Sequence, residues 1–179
     1  MTYYARNLPH WHPDGKTIFL TWRLFGSLPS AVLKRLETLR ATPGKQFVAA
    51  DRFLDFAESG PRWLSEPQIA ALVKETILRG EKLGQYTLFS YVVMPNHVHV
   101  LLEPRLPLLR VTRGIKGVSA RDANAALGRV GKPFWQDESF DHWIRSGQQF
   151  DRVRWYIENN PVKAGLAKSP KEWPWSSAR

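Results

Sequence analysis

Two β-rich runs, Tyr86 to Met94 (YTLFSYVVM) and His97 to Glu103 (HVHVLLE), are separated only by Pro95-Asn96. Runs this rich in β-branched and aromatic residues, joined by turn formers, read as neighbouring antiparallel strands. Thr17 to Leu24 (TIFLTWRL) supplies another strand of the same character. It ends before the turn signal Phe25-Gly26-Ser27-Leu28-Pro29.

Helical periodicity fills the spaces between. Ser30 caps a segment in which Val32, Leu33, Leu36 and Leu39 recur at helical spacing, stopping near Thr42-Pro43-Gly44. A second helical piece, about Val48 to Glu58, breaks at Ser59-Gly60-Pro61. A third runs from Glu66 or Pro67 to Leu83, with Ile69, Leu72, Val73, Ile77 and Leu78 on one stripe and Gly84 to stop it. Arg105 to Arg129 reads as a basic helix, Phe134 to Arg145 as a short strand or ordered loop, and Gln148 to Asn159 as a helix. Met1 to Pro13 shows no pattern. This order predicts an α+β fold: a ferredoxin-like or RRM-like antiparallel sheet with helices on one side, plus a helical insertion over about 48–83 after the first strand. With 179 residues, a single domain spanning 1–179 is expected.

The chain has no cysteine, so disulfide frameworks and thiolate zinc sites are excluded, and the composition fits the cytosol. No apolar run approaches the ~18 residues that span a bilayer, so no membrane partner is expected. Lys and Arg number 26 against 16 Asp and Glu, a formal charge of +10 that suits a polyanionic partner. The excess is concentrated in Arg105, Arg110, Arg113, Lys116, Arg121, Arg129 and Lys132, opposed there only by Asp122. Of these, Arg113, Lys116 and Arg121 are the candidates for tracking phosphates. A solvated helix face has the same composition.

His97 and His99 stand two apart in a strand, which puts both imidazoles on one face with Cα atoms about 6 to 7 Å apart. Such a pair can converge on one metal ion, although two polar-face histidines that bind nothing share the spacing. In the helix from Gln148, Phe150, Val153 and Ile157 define a core face, while Arg152, Tyr156 and Asn160 form a stripe of spacing four along its margin. That stripe can offer a phosphate clamp, a phenol nucleophile and a carbonyl ligand. It can equally be a half-buried aromatic followed by a helix cap. Pro161 disfavours helical dihedrals at the residue before it, so Asn160 is expected at or just past the helix end.

Taken together, Met94-Pro95-Asn96-His97-Val98-His99-Val100-Leu101-Leu102, Phe134-Trp135-Gln136, Tyr156-Ile157-Glu158-Asn159-Asn160-Pro161-Val162-Lys163-Ala164-Gly165-Leu166 and Trp173-Pro174-Trp175-Ser176-Ser177 resemble the REP-associated tyrosine transposases, relatives of the single-tyrosine HUH transposases. The likeness extends to Gly60-Pro61-Arg62-Trp63-Leu64 and to the stretch from Lys116 to Arg129. It implies a metal-dependent endonuclease and strand transferase for single-stranded DNA. His97, His99 and Asn160 would hold Mg²⁺ or Mn²⁺, and Tyr156 would form a 5′-phosphotyrosine link at REP-like hairpins. It leaves open whether the protein works as a monomer or dimer, which base serves Tyr156, and what the insertion does.

Two other classes compete. A catalytically inactive module that holds nucleic-acid hairpins predicts metal-independent binding and no covalent product. A metal-dependent hydrolase acting without Tyr156 predicts turnover in a Tyr156→Phe variant. His142 is a reserve ligand, with a hydrogen bond inside the fold as its simpler role. The transposase reading requires the Tyr156 hydroxyl and the two imidazoles to share one cleft, within about 10 Å of one another, a reach set by side-chain length across adjacent elements.

Overall fold

A computed structural model of the chain describes residues 2–5, 9–12, 15–38, 43–55 and 60–178. The expected place of Leu39 on the first helix and the 56–58 end of the second lie outside them. The strands are β1 (Thr2–Ala5), β2 (Pro9–His12), β3 (Ile18–Arg23), β4 (Tyr86–Val93), β5 (His97–Pro104) and β6 (Phe140–Trp143). The α-helices are α1 (Ser30–Thr38), α2 (Pro43–Asp55), α3 (Pro67–Lys82), α4 (Leu108–Ala126) and α5 (Gly147–Lys163).

The four later strands form one sheet in the order β4-β5-β3-β6, with every neighbouring pair antiparallel. Since β5 lies between β3 and β4, and β3 between β5 and β6, the connections through α3 and α4 are two split βαβ units, the ferredoxin-like topology. Right-handed crossovers put both connecting helices on the same face. Ile69, Val73 and Ile77 of α3 and Val111, Ile115 and Ala123 of α4 accordingly pack with Ile18, Leu20 and Trp22 of β3 and Val98, Val100 and Leu102 of β5.

Strand periodicity sends the alternate residues the other way. There Phe19, Val92 and Leu101 meet Ile157, Phe150 and Val153 of α5 and Phe47 of α2. The sheet is thus covered on both faces rather than the one expected. Strands buried on both sides read as nearly continuous apolar runs, which is why β3 and β5 hide the second layer in sequence.

Of the stretch 48–83 expected as an insertion, α3 is one of the two connecting helices of the sheet, so the added helices are α1 and α2, between β3 and α3. α2 starts at Pro43, five residues before the expected Val48. Proline is tolerated at a helix start because its missing N–H has no partner there. The N-terminal segment, unpatterned in sequence, carries a two-stranded hairpin, β1 paired with β2 from Thr2↔His12 to Ala5↔Pro9.

α5 begins with a Ser146 cap whose hydroxyl accepts the Gln149 N–H at 3.2 Å. It continues past Asn159 through Pro161 to Lys163, so Asn160 lies within the helix rather than at its edge. A proline this near the C-terminus disturbs little, and the end is closed by a Schellman motif. Leu166 N–H donates to the Pro161 carbonyl and Gly165 N–H to that of Val162, with Gly165 at φ +70°. Among the described residues no helix is long and apolar enough to cross a membrane.

Candidate active site

The site grows from the central strand. His97 and His99 project from β5 toward α5, opposite Arg23 and Thr21 of β3, and both are wholly buried. Each imidazole is oriented through its Nδ1. His97 Nδ1 lies 2.7 Å from Asn96 Oδ1, while the Asn96 amide donates to the Leu54 carbonyl at 2.9 Å. With that amide engaged as donor, Asn96 Oδ1 accepts from His97 Nδ1–H, and the His97 Nε2 lone pair is left facing the site. His99 Nδ1 is held 2.6 Å from Thr21 Oγ1. The two Nε2 atoms then face each other at 3.1 Å, a separation that requires a proton or a cation between them.

Asp51 of α2 adds a carboxylate to this pair. Its Oδ1 is 3.2 Å from His99 Nε2 and 3.8 Å from His97 Nε2, and its Oδ2 accepts the Tyr156 hydroxyl. Asp55, one turn on, brings an oxygen 3.8 Å from His97 Nε2. Tyr156 packs its ring against Phe19 and lies 5.5 Å from the His99 ring, centroid to centroid. Asn160, one turn further along α5 and wholly buried, has Nδ2 3.4 Å from His99 Nε2. Lys163 places its ammonium 4.6 Å from the Tyr156 ring centre, over the face rather than at the hydroxyl.

Burial and charge set the protonation. Burial pushes His97 down to about 3, helped by His99 and opposed by Asp51, so its imidazole is neutral near pH 7. Burial alone raises Asp51, but attraction and hydrogen bonding from His99, with His97 and Lys163, bring it below the usual carboxylate range. Asp55 is pushed up to about 7 by burial and by the neighbouring Asp51.

Asp55 Oδ1 and Asn160 Oδ1 are buried oxygens with no hydrogen-bond partner, Asp51 Oδ1 has only the imidazole Nε2 atoms beside it, and all three belong to this cluster. Orphaned acceptors cost roughly 1–3 kcal/mol each unless something compensates them. Asp51, His97 and His99 together form a cluster able to hold a divalent metal ion. Rotating the Asn160 amide by half a turn would bring its oxygen to the same point. The donor set, with neutral imidazole, carboxylate and carbonyl oxygen, fits such an ion.

The structure therefore brings His97, His99, Tyr156 and Asn160 together. Arg152 is exposed one turn before Tyr156 on α5. Arg113, Lys116 and Arg121 lie on α4, across the sheet from the pocket. There Lys116 donates to the carbonyls of Gln136 and Asp137 at 2.7 and 2.8 Å, and Arg121 pairs with Asp122 at 2.9 Å. His142 on β6 is bonded to Gln149 Nε2 at 2.7 Å, away from the cluster. Asp51, Asp55, Thr21 and Asn96 were not anticipated. The only sequence signal was Asp51-Arg52-Phe53-Leu54-Asp55, two acids one helical turn apart in a segment without an assigned role.

Known proteins share this arrangement of elements. The chain is 28% identical over 109 residues to the REP-associated tyrosine transposase of Escherichia coli (strain K12), an alignment covering 59% of this chain and 62% of the relative, short of two thirds of the latter's length. The solved structure of a REP-associated tyrosine transposase bound to a REP hairpin superposes with a TM-score of 0.61 at 22% identity, covering 99% of this chain and 82% of that one, a likeness of fold. The family model described as "Transposase IS200 like" matches residues 62–160, more than half of the chain and the stretch that contains both histidines, Tyr156 and Asn160. On the strength of that match, the chain belongs to the IS200-like transposase family.

Proposed function

We propose that this protein cleaves and rejoins single-stranded DNA in a divalent-metal-dependent reaction with Tyr156 as covalent nucleophile. The observation that carries this reading is the meeting of the Tyr156 phenol and the imidazole pair in one pocket, 5.5 Å apart at the rings of Tyr156 and His99. His97, His99 and Asn160 are the residues that would hold the ion, Mg²⁺ or Mn²⁺. When bound, it supplies Lewis-acid polarisation of the scissile phosphate.

Tyr156 Oη attacks phosphorus, the bond from phosphorus to the 3′ oxygen breaks, and a 5′-phosphotyrosine and a 3′ hydroxyl result. The phenol gives up one proton and the departing 3′ oxygen takes one, so the step is neutral overall. The phosphodiester is conserved in the link to Tyr156, and attack by a 3′ hydroxyl reverses the step without a nucleotide cofactor. Lys163 and the wall formed by Phe19 keep the phenol ring from turning away.

For the DNA, the net charge of +10 supports a polyanionic partner. The REP hairpin bound by the structural relative supports a folded single strand as its form. Arg152, exposed one helical turn before the nucleophile, suits the scissile region, whereas Arg113, Lys116 and Arg121 border a second face suited to the hairpin stem. Incubation with labelled single-stranded hairpin DNA and Mn²⁺ should give a protein-linked strand on a denaturing gel, absent from Tyr156→Phe. Binding without such an adduct would favour an inactive hairpin-binding module, and turnover by Tyr156→Phe would favour a hydrolase.

A further inference from the structure

Helix α2 lies outside the stretch matched by the family model, yet its Asp51 carboxylate reaches both the histidine pair and the hydroxyl of the nucleophile. We infer that Asp51 is a working part of the site: its Oδ1 is a carboxylate ligand of the cation, and its Oδ2 positions the Tyr156 hydroxyl. The inference rests on the cation reading above.

Three observations support it. First, the distances among His97 Nε2, His99 Nε2 and Asp51 Oδ1 are 3.1, 3.2 and 3.8 Å. Ligands about 2.0 to 2.2 Å from one ion stand roughly 2.8 to 3.1 Å apart at neighbouring octahedral positions and roughly 3.3 to 3.6 Å apart at tetrahedral ones. Two edges of the triangle lie between or at the limits of those spacings, and the third is slightly open. Second, the atom in question is a buried carboxylate oxygen that faces the two imidazole Nε2 atoms, 3.2 Å from that of His99. A side chain that served only to plug the pocket would do so at lower cost as an amide or an alkyl group, since burying a charged group costs more than burying a neutral one of the same size. Third, the remaining carboxylate oxygen is engaged by Tyr156, so one rigid planar group sets the distance between nucleophile and cation.

The position of α2 is defended by packing. Phe47 stacks on Phe140 at 4.1 Å and meets Phe19 edge-on at 5.5 Å, and the Leu54 carbonyl is tied to Asn96, the residue that orients His97. The insertion is thereby coupled to the histidine pair through Asn96 as well as Asp51. His97, His99, Asn160 and Asp51 would hold the ion from the protein side, and an ion that prefers six ligands would have positions left for phosphodiester oxygens.

The test is a calorimetric Mn²⁺ titration of the full chain in wild-type, Asp51→Asn, Asp51→Glu and His99→Ala forms, followed by single-turnover adduct formation at saturating Mn²⁺. Asp51→Asn should bind Mn²⁺ at least tenfold more weakly and form adduct at least tenfold more slowly even when saturated, with Asp51→Glu recovering part of the affinity. Wild-type affinity in Asp51→Asn, or faster adduct formation, overturns the assignment and makes Asp51 a plug. If Asp51→Asn does not fold, the Asp51→Glu titration decides alone: affinity lowered but measurable supports the ligand role, and affinity equal to or above wild type opposes it. His99→Ala separates the two levels. Loss of binding there with Asp51→Asn unaffected removes only Asp51, while unchanged binding in His99→Ala removes the cation site itself.

Discussion

Asn160→Ala separates the contribution of Asn160 to the fold from its contribution to the cation site. The residue is wholly buried, its Oδ1 has no partner, and its Nδ2 makes one long contact of 3.4 Å to His99. Truncation removes an orphaned acceptor worth roughly 1–3 kcal/mol of penalty and leaves a small cavity of comparable cost, so the metal-free stability should change by no more than about 1 kcal/mol. The metal-loaded protein should respond differently. An ion present at a hundred times its Kd stabilises by about 2.7 kcal/mol, and a hundredfold weaker site leaves about 0.4 kcal/mol of that. For a domain of this size each kcal/mol moves Tm by roughly 2–4 °C. Differential scanning calorimetry with and without Mn²⁺ should therefore show a shift of about 5–11 °C in the wild type falling to about 1–2 °C in the variant. An undiminished Mn²⁺ shift in Asn160→Ala would refute the idea that this carbonyl is a ligand.

Three further outcomes follow from particular contacts. Gly80→Ala would drive a methyl group into the ring of Tyr86, whose hydroxyl donates to the Ile77 carbonyl; overpacking of about 1–3 kcal/mol should outweigh the gain of about 1 kcal/mol in helix propensity, and a raised Tm would contradict this. Burial, with Arg145 and against Asp141, holds His142 below the usual histidine range. A depressed folded-state pKa means that its contribution is complete above the unfolded value of 6.5 and is lost as pH falls below it, so His142→Gln should flatten part of the acid-side decline of Tm, and an identical profile would count against it. Arg113→Ala, at an exposed position on α4, should lower the slope of log affinity for hairpin DNA against log salt by about 1. No change in slope would take that face out of the DNA contact.

The strands and the histidine pair were legible because their signals are local. The β-branched and aromatic run of β3 and the hairpin of β4 and β5 follow from a few consecutive side chains, and the two-residue strand period places His97 with His99. The stripe Arg152, Tyr156, Asn160 was legible from helical spacing, but the end of α5 was not. Pro161 argued for a stop near Asn159, whereas Schellman hydrogen bonds contributed by Gly165 and Leu166 carry the helix two residues past the proline. The second layer under the sheet and the docking of α2 were hidden for a different reason. They depend on contacts between residues far apart in sequence, such as Phe47 with Phe140 and Asp51 with His99, and no periodicity within α2 indicates which partner its acids will find. Lys116 looked like a phosphate contact by composition, and in the fold its ammonium holds two loop carbonyls.

The central claim is that one phenol, Tyr156, takes the DNA strand in a pocket shared with the histidine pair. Mass spectrometry of proteolysed protein after reaction with a short single-stranded hairpin and Mn²⁺ tests it most directly. The account predicts a nucleotide attached to the peptide containing Tyr156, lost when Mn²⁺ is chelated beforehand or when His99 is replaced by alanine. A nucleotide found on another residue, or on Tyr156 irrespective of the cation and of His99, would contradict it.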